Sequence, residues 1–389
     1  MILKKTKAMR PACLFLFLLI VISSMTAFAV EPSFGDDSDT VALRGRVISV
    51  EDIEPDESVR DFVQLEQLAT IEITRGQYKG ERHTLLNSLM GHPVFDLHLT
   101  EGRRVILWGE VDEAGTLLQI YLQDYARDTY LYLLVGLFIL VLLLVGRLKG
   151  LYTVITLSIT IFAVFRILLP LLLAGYPPIP VTVVVAAFIT LITLVFISGL
   201  QRKTVAAAIG TVGGVLVAGL LALIVGRAAN LTGFSSEEAQ MLLYMEGTIN
   251  VRGLLFAGII IGALGAVMDV SMSISTAMTE VYCVNPSLCF KELFNSAMNI
   301  GRDIMGTMAN TLILAYVGTT MPLLLLFMGY QMPWGTIINL DLVATEVVRA
   351  LTGSIGLVAS IPLTSLAMGL LLVRSNPQEK KVPPPSQSA

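Results

Sequence analysis

The chain has 389 residues, 54% of them hydrophobic and only 14% charged, with a mean hydropathy of +0.76. Soluble domains carry about a quarter charged residues, so this composition excludes a single soluble core and points to a chain embedded in lipid. The formal net charge of −4 hides an asymmetry: residues 31–128 hold 20 acidic and 9 basic residues, a net of −11, whereas 129–389 are slightly basic. So acidic a module excludes nucleic acid as an expected partner, because phosphate binding needs clustered Lys and Arg.

Lys4, Lys5, Lys7 and Arg10 precede a short apolar run, 13–22, and Ala27-Phe28-Ala29 gives an A-x-A cleavage pattern. Residues 1–29 are therefore expected to be a secretory signal peptide, with an uncleaved signal anchor as the other reading. Both readings place residue 31 onward outside the cytoplasm. Cys13 lies in this stretch, and Cys283 and Cys289 fall in a later loop, so the exported module has no disulfide framework.

Residues 30–127 read as strands. Segments 41–51, 67–75, 81–87, 102–111 and 116–125 show partial period-2 alternation, separated by turn signals such as Gly76–Gly80 and Asp112–Gly115. About five short strands in a hundred residues predict a small extracytoplasmic β-barrel-like domain of OB or SH3 type. His83, His92 and His98 all fall here, at a spacing that matches no metal motif. No metal and no cofactor is expected.

Residues 128–375 are expected to form an all-α polytopic membrane bundle of about seven transmembrane helices, near 129–146, 151–173, 180–200, 204–226, 253–273, 304–327 and 353–373. Arg147 with Lys149, Arg202 with Lys203, Lys291 with Arg302, and the tail basic residues then lie on one side. By the positive-inside rule that side is cytoplasmic, with the C-terminus. Ser235 with Glu238 makes a capping-box pattern ahead of a short interfacial helix. Residues 341–352 read as an amphipathic helix leading into the last span. Gly210-x-x-x-Gly214 and Gly258-x-x-x-Gly262 put small residues on single helix faces, expected to pack within the bundle. The Pro-rich tail, 376–389, is expected to be disordered.

Charged residues in a lipid-spanning segment cost a few kcal/mol on insertion scales and default to a functional hypothesis. Asp269 is followed by Ser273, Thr276 and Glu280 at i+4, i+7 and i+11. The sixth span carries Asp303, Thr307, Asn310 and Thr311 at matching spacing, with Arg302 beside them. Two polar stripes facing each other across one seam, with Asp269 paired to Arg302, would bind or conduct an ion or a small polar solute. Helix–helix glue is the structural alternative, since polar contacts between transmembrane helices are common and average about 0.6 kcal/mol. No enzyme is expected: the G-x-S-x-G, H-E-x-x-H and G-x-x-x-x-G-K-[ST] signatures are absent, and the membrane module has no histidine.

The stretches RGLLFAGIIIGALGAVMDVSMSIS (252–275), FKELFNSAMNIGRDIMGTMANTLILAYVG (290–318) and EVVRALTGSIGLV (346–358) closely resemble the YibE/F family of bacterial multi-pass membrane proteins. The resemblance covers about residues 40–373 and implies the bacterial cell membrane, but supplies no substrate and no catalytic residues. Arg166 departs from the apolar second span common in that family. Two functions compete. One is a permease or transport component, motivated by the polar stripes. The other is a non-transporting scaffold or sensor whose −11 module binds a cationic ligand or a basic protein.

Overall fold

The computed structural model describes residues 40–373, apart from 56, 58, 59, 61, 113 and 245–248. The signal segment and the tail lie outside the described residues. The chain divides into two compact units between Val145 and Gly146.

In the first unit, β1 (Thr40–Ile53), β2 (Leu65–Ile73), β3 (Arg82–Leu89), β4 (Arg104–Val111) and β5 (Leu117–Tyr125) form a curled antiparallel sheet in the order β3-β2-β1-β4-β5. All five expected strands are present. Alternation decides which face each strand buries: Leu43 and Val47 point inward with Ile71, Ile73, Val105 and Leu107, while Arg44 and Arg46 point out. Gly45 lets the sheet close up, since a Cβ there would stand 2.3 Å from Ile71 Cγ2. The buried Gln67 amide is fully engaged: it donates to Asp52 at 2.9 Å and accepts the Leu99 N–H at 2.8 Å.

Among the described residues, six helices are long and apolar enough to cross a membrane. The first, Asp128–Leu173, has 46 residues, more than twice the roughly 20 that a single crossing needs. It comprises α1 (Asp128–Ala163), a π turn (Val164–Leu168) and α2 (Leu169–Leu173). The break expected between the first two spans is not a loop. It is a kink within α1 at Arg147, with φ 48° and ψ −124°. The π turn has a local cause: Pro170 lacks an N–H and its ring would clash with the carbonyl of residue 166, so the ladder widens, with Leu169 N–H bonding to Val164 C=O. Arg166 sits in this turn with an exposed side chain.

The second unit continues with α3 (Pro178–Ser198), α4 (Arg202–Ala228), α5 (Glu237–Met241), α6 (Val251–Val284), α7 (Phe290–Gly329), α8 (Trp334–Ile337) and α9 (Asp341–Val373). Helices α4, α6 and α9 pack together as the centre, flanked by α3 and α7. Lipid gives no hydrophobic drive between helices, so close approach of backbones carries the packing. Gly210 and Gly214 supply it: added Cβ atoms would meet Thr364 and the Gly356 carbonyl of α9. The other small-residue motif behaves differently from expectation. Gly258 meets nothing, and Gly262 meets only the Tyr316 hydroxyl, because α6 turns its opposite face to the core.

Buried hydroxyls mostly bond back one turn, as Thr211 does to Ala207 C=O at 2.8 Å and Ser365 to Ile361 C=O at 2.7 Å. The cap of α5 is Ser236, whose Oγ accepts from Ala239 N–H, not the adjacent Ser235. The amphipathic 341–352 segment runs without a break into the last span as α9. Asp341, its first residue, accepts from the Thr232 hydroxyl at 2.6 Å and so holds the loop after α4.

Candidate functional site

Helices α6 and α7 are antiparallel neighbours: Gly262 lies by Tyr316, and Gly301 by Ile274. Asp269, Ser273 and Glu280 are exposed and Thr276 half-buried, whereas α6 buries Val267, Val270, Ser271 and Ile274 on its other side. On α7, Arg302, Asp303, Thr307, Asn310 and Thr311 are all exposed. At 100° per residue, Asp303, Thr307 and Asn310 stand opposite the buried Gly301 and Leu312. Each helix thus presents its apolar side to the centre, and the two polar stripes point away from it.

The expected Asp269–Arg302 pair does not form. Arg302 Nη1 donates to Asn299 Oδ1 on its own helix at 3.0 Å, and Asp269 has no hydrogen bond or ion pair among the described residues. Thr307 and Thr311 donate to carbonyls one turn back. No seam between facing stripes is built.

A different charged pair lies on α9 where it faces α7. Glu346 and Arg349 are neighbours at i and i+3 on α9, with Arg349 Nη1 donating to Glu346 Oε1 at 2.8 Å and side chains 17% and 31% exposed. The second carboxylate oxygen, Oε2, and the Arg349 Nε are buried without a hydrogen-bond partner. Beside them a cavity of about 260 Å³ opens between α7 and α9, lined by Glu346, Tyr316 and Thr320 among apolar side chains such as Leu324, Trp334 and Val347. Mostly apolar walls with a few convergent polar groups are the ordinary make-up of a ligand site. The leftover valence of Glu346 would accept a donor from a small polar solute or hold a cation in competition with Arg349.

Reading the sequence for charges in mid-span missed this pair, because Glu346 and Arg349 fall in the segment assigned to an interfacial amphipathic helix. The signal available was the i, i+3 opposite-charge spacing in EVVR, flanked by apolar residues.

Two of the histidines and one cysteine make local contacts. His83 pairs with Glu81, and the His92 ring accepts from Val94 N–H while lying tilted against Phe95, with ring centres 4.5 Å apart. Cys289 opens α7, its N–H donating to Glu292 Oε2 at 2.9 Å, and both Cys283 and Cys289 are exposed free thiols. Among the described residues no three His, Cys, Asp or Glu gather into a metal-binding group.

No curated protein and no solved structure matches the chain. The family model of YibE/F-like proteins matches residues 134–374, beginning inside the first apolar helix and leaving the β sheet outside, so the resemblance is shorter than residues 40–373. That match spans more than half of the 389 residues and every helix of the central bundle, and the chain belongs to the YibE/F-like family.

Proposed function

We propose that this protein is a membrane transport component for an ion or small polar solute, with Glu346 at its binding site. One observation carries the reading: a carboxylate oxygen without a partner, buried in an apolar helix pair beside a cavity. Ionisable groups inside membrane bundles mark solute and ion pathways because an idle one is costly. Tyr316 and Thr320 add hydroxyls to the same cavity. In a bacterial plasma membrane, the distribution of Lys and Arg supports an orientation with the β unit outside and the C-terminus inside. That reading takes 129–146 and 151–173 as two separate crossings.

Purified protein in proteoliposomes, offered a panel of ions and polar solutes, tests the proposal. Flux of one solute that falls at least tenfold in Glu346→Gln supports it. The absence of flux for every solute, or flux indifferent to Glu346→Gln, overturns it. The second reading, a sensor whose exported unit binds a ligand, is favoured by a separate cavity in that unit.

A further inference from the structure

We propose that the β unit carries a binding site for a phosphate-bearing anion, formed by Arg46, Arg103 and Arg104 against Tyr125. A cavity of about 480 Å³ is lined by these side chains together with Arg127, Thr129 and Tyr130. Arg46 and Arg104 are direct partners in the β1–β4 register, so their side chains leave the sheet side by side on one face. Like charges placed directly opposite are destabilising unless something neutralises them.

The carboxylates nearby are already engaged. Glu72 stands opposite Arg46 on β2 but pairs with Arg82 at 3.5 Å. Asp124 holds Arg127, and Asp128 holds Arg44. Among the described residues, Arg46, Arg103 and Arg104 have no carboxylate partner. Arg104 donates only to the Thr129 hydroxyl, at 2.9 Å.

Two guanidinium groups beside the cavity lie over one aromatic ring. Arg103 stacks 5.0 Å from the centre of the Tyr125 ring and Arg127 lies at 5.7 Å, while the Tyr125 hydroxyl is fixed to His98 C=O at 2.8 Å. Lying over the ring leaves the N–H fork of Arg103 free, and such a fork matches the paired oxygens of a phosphate. The unit as a whole is strongly acidic, so long-range attraction does not favour an anion there. Contact geometry must supply the affinity, and that favours a compact oxyanion with several oxygens over a monovalent halide.

Thr129 and Tyr130 also begin the first apolar helix. The cavity therefore lies at the residue level where polar chain gives way to lipid-compatible chain. A phosphate there has two sources: a lipid headgroup, or a soluble phosphate compound. The site is independent of the transport reading, and its failure would leave Glu346 untouched.

The test uses the full-length protein in detergent. Amide hydrogen exchange of segments 44–47 and 102–106 is followed as sodium phosphate is titrated against sodium chloride at equal ionic strength. In parallel, the protein is exchanged into mixed micelles with phosphatidylglycerol, and retained lipid is read by native mass spectrometry. Saturable protection by phosphate, weakened at least tenfold in Arg104→Gln, supports a soluble ligand. Retention of phosphatidylglycerol without protection by free phosphate, again lost in Arg104→Gln, supports a lipid headgroup. Binding that Arg104→Gln and Arg103→Lys leave unchanged, or no binding of either probe, overturns the proposal. Arg103→Lys keeps the charge and loses the fork, and protection of the core amides of Ile71 and Leu107 reports that each variant is folded.

Discussion

Gly210 of α4 faces Thr364 of α9 so closely that an added Cβ would stand 1.7 Å from the threonine hydroxyl oxygen and 3.0 Å from its Cα. The Thr364 backbone cannot retreat without moving the centre of the bundle. Gly210→Ala should therefore destabilise the protein by about 1–3 kcal/mol or more, the usual range for overpacking. Gly258→Ala is the control, because its added methyl meets nothing within 4 Å and alanine favours a helix. Thermal unfolding in detergent should show a lower midpoint for the first and no loss for the second.

The Glu346–Arg349 pair makes a second prediction. Removing one member of a buried pair leaves an uncompensated charge and typically costs about 3–5 kcal/mol. Arg349 keeps partial exposure, so Arg349→Ala should fall near the lower end of that range. The double variant Glu346→Gln/Arg349→Ala should regain part of the loss. A double variant no more stable than Arg349→Ala would show that the charge of Glu346 is not what is stranded.

Asp269 and Arg302 should behave as independent residues. Arg302 bonds within its own helix and Asp269 has no partner among the described residues. The stability effects of Asp269→Ala and Arg302→Ala should add to within about 0.5 kcal/mol. Coupling beyond that would place the two side chains together and restore the facing seam.

Asp96 gives a pH-dependent outcome in the β unit. Desolvation pushes its carboxyl up, but the N–H groups of Met90, Gly91 and His92, with the nearby His92 ring, outweigh it and hold the pKa below the ordinary 3.8. A depressed carboxylate stabilises the fold above its unfolded pKa and loses that contribution as pH falls through the folded one. Asp96→Asn should speed amide exchange at Gly91 and His92 at neutral pH, and the difference from wild type should shrink below pH about 4. A difference that persisted undiminished at pH 2 would show that the carboxylate charge is not the cause.

The parts legible in the sequence were those written in local pattern. Alternation marked all five strands to within a few residues, because a sheet with one buried face requires it. Hydropathy marked the apolar helices, because each must satisfy its own backbone in lipid. Boundaries slipped where chemistry was duplicated or continuous. Ser235 and Ser236 both suit a cap, and an amphipathic segment can run unbroken into an apolar one, as α9 shows.

Side-chain direction was another matter. A membrane helix is apolar nearly all round, so its sequence does not say which face turns inward. Asp269 and Asp303 stood out as charges, yet α6 and α7 rotate them away from the centre, while the less conspicuous Glu346 comes to rest beside a cavity. Arg46 and Arg104 are likewise unremarkable in sequence and become neighbours only through the register of β1 on β4. Composition and periodicity determined that this chain is a β unit followed by a helical membrane bundle. Only tertiary packing, which sets the rotation of each helix and the register of each strand, decided which of its charges meet.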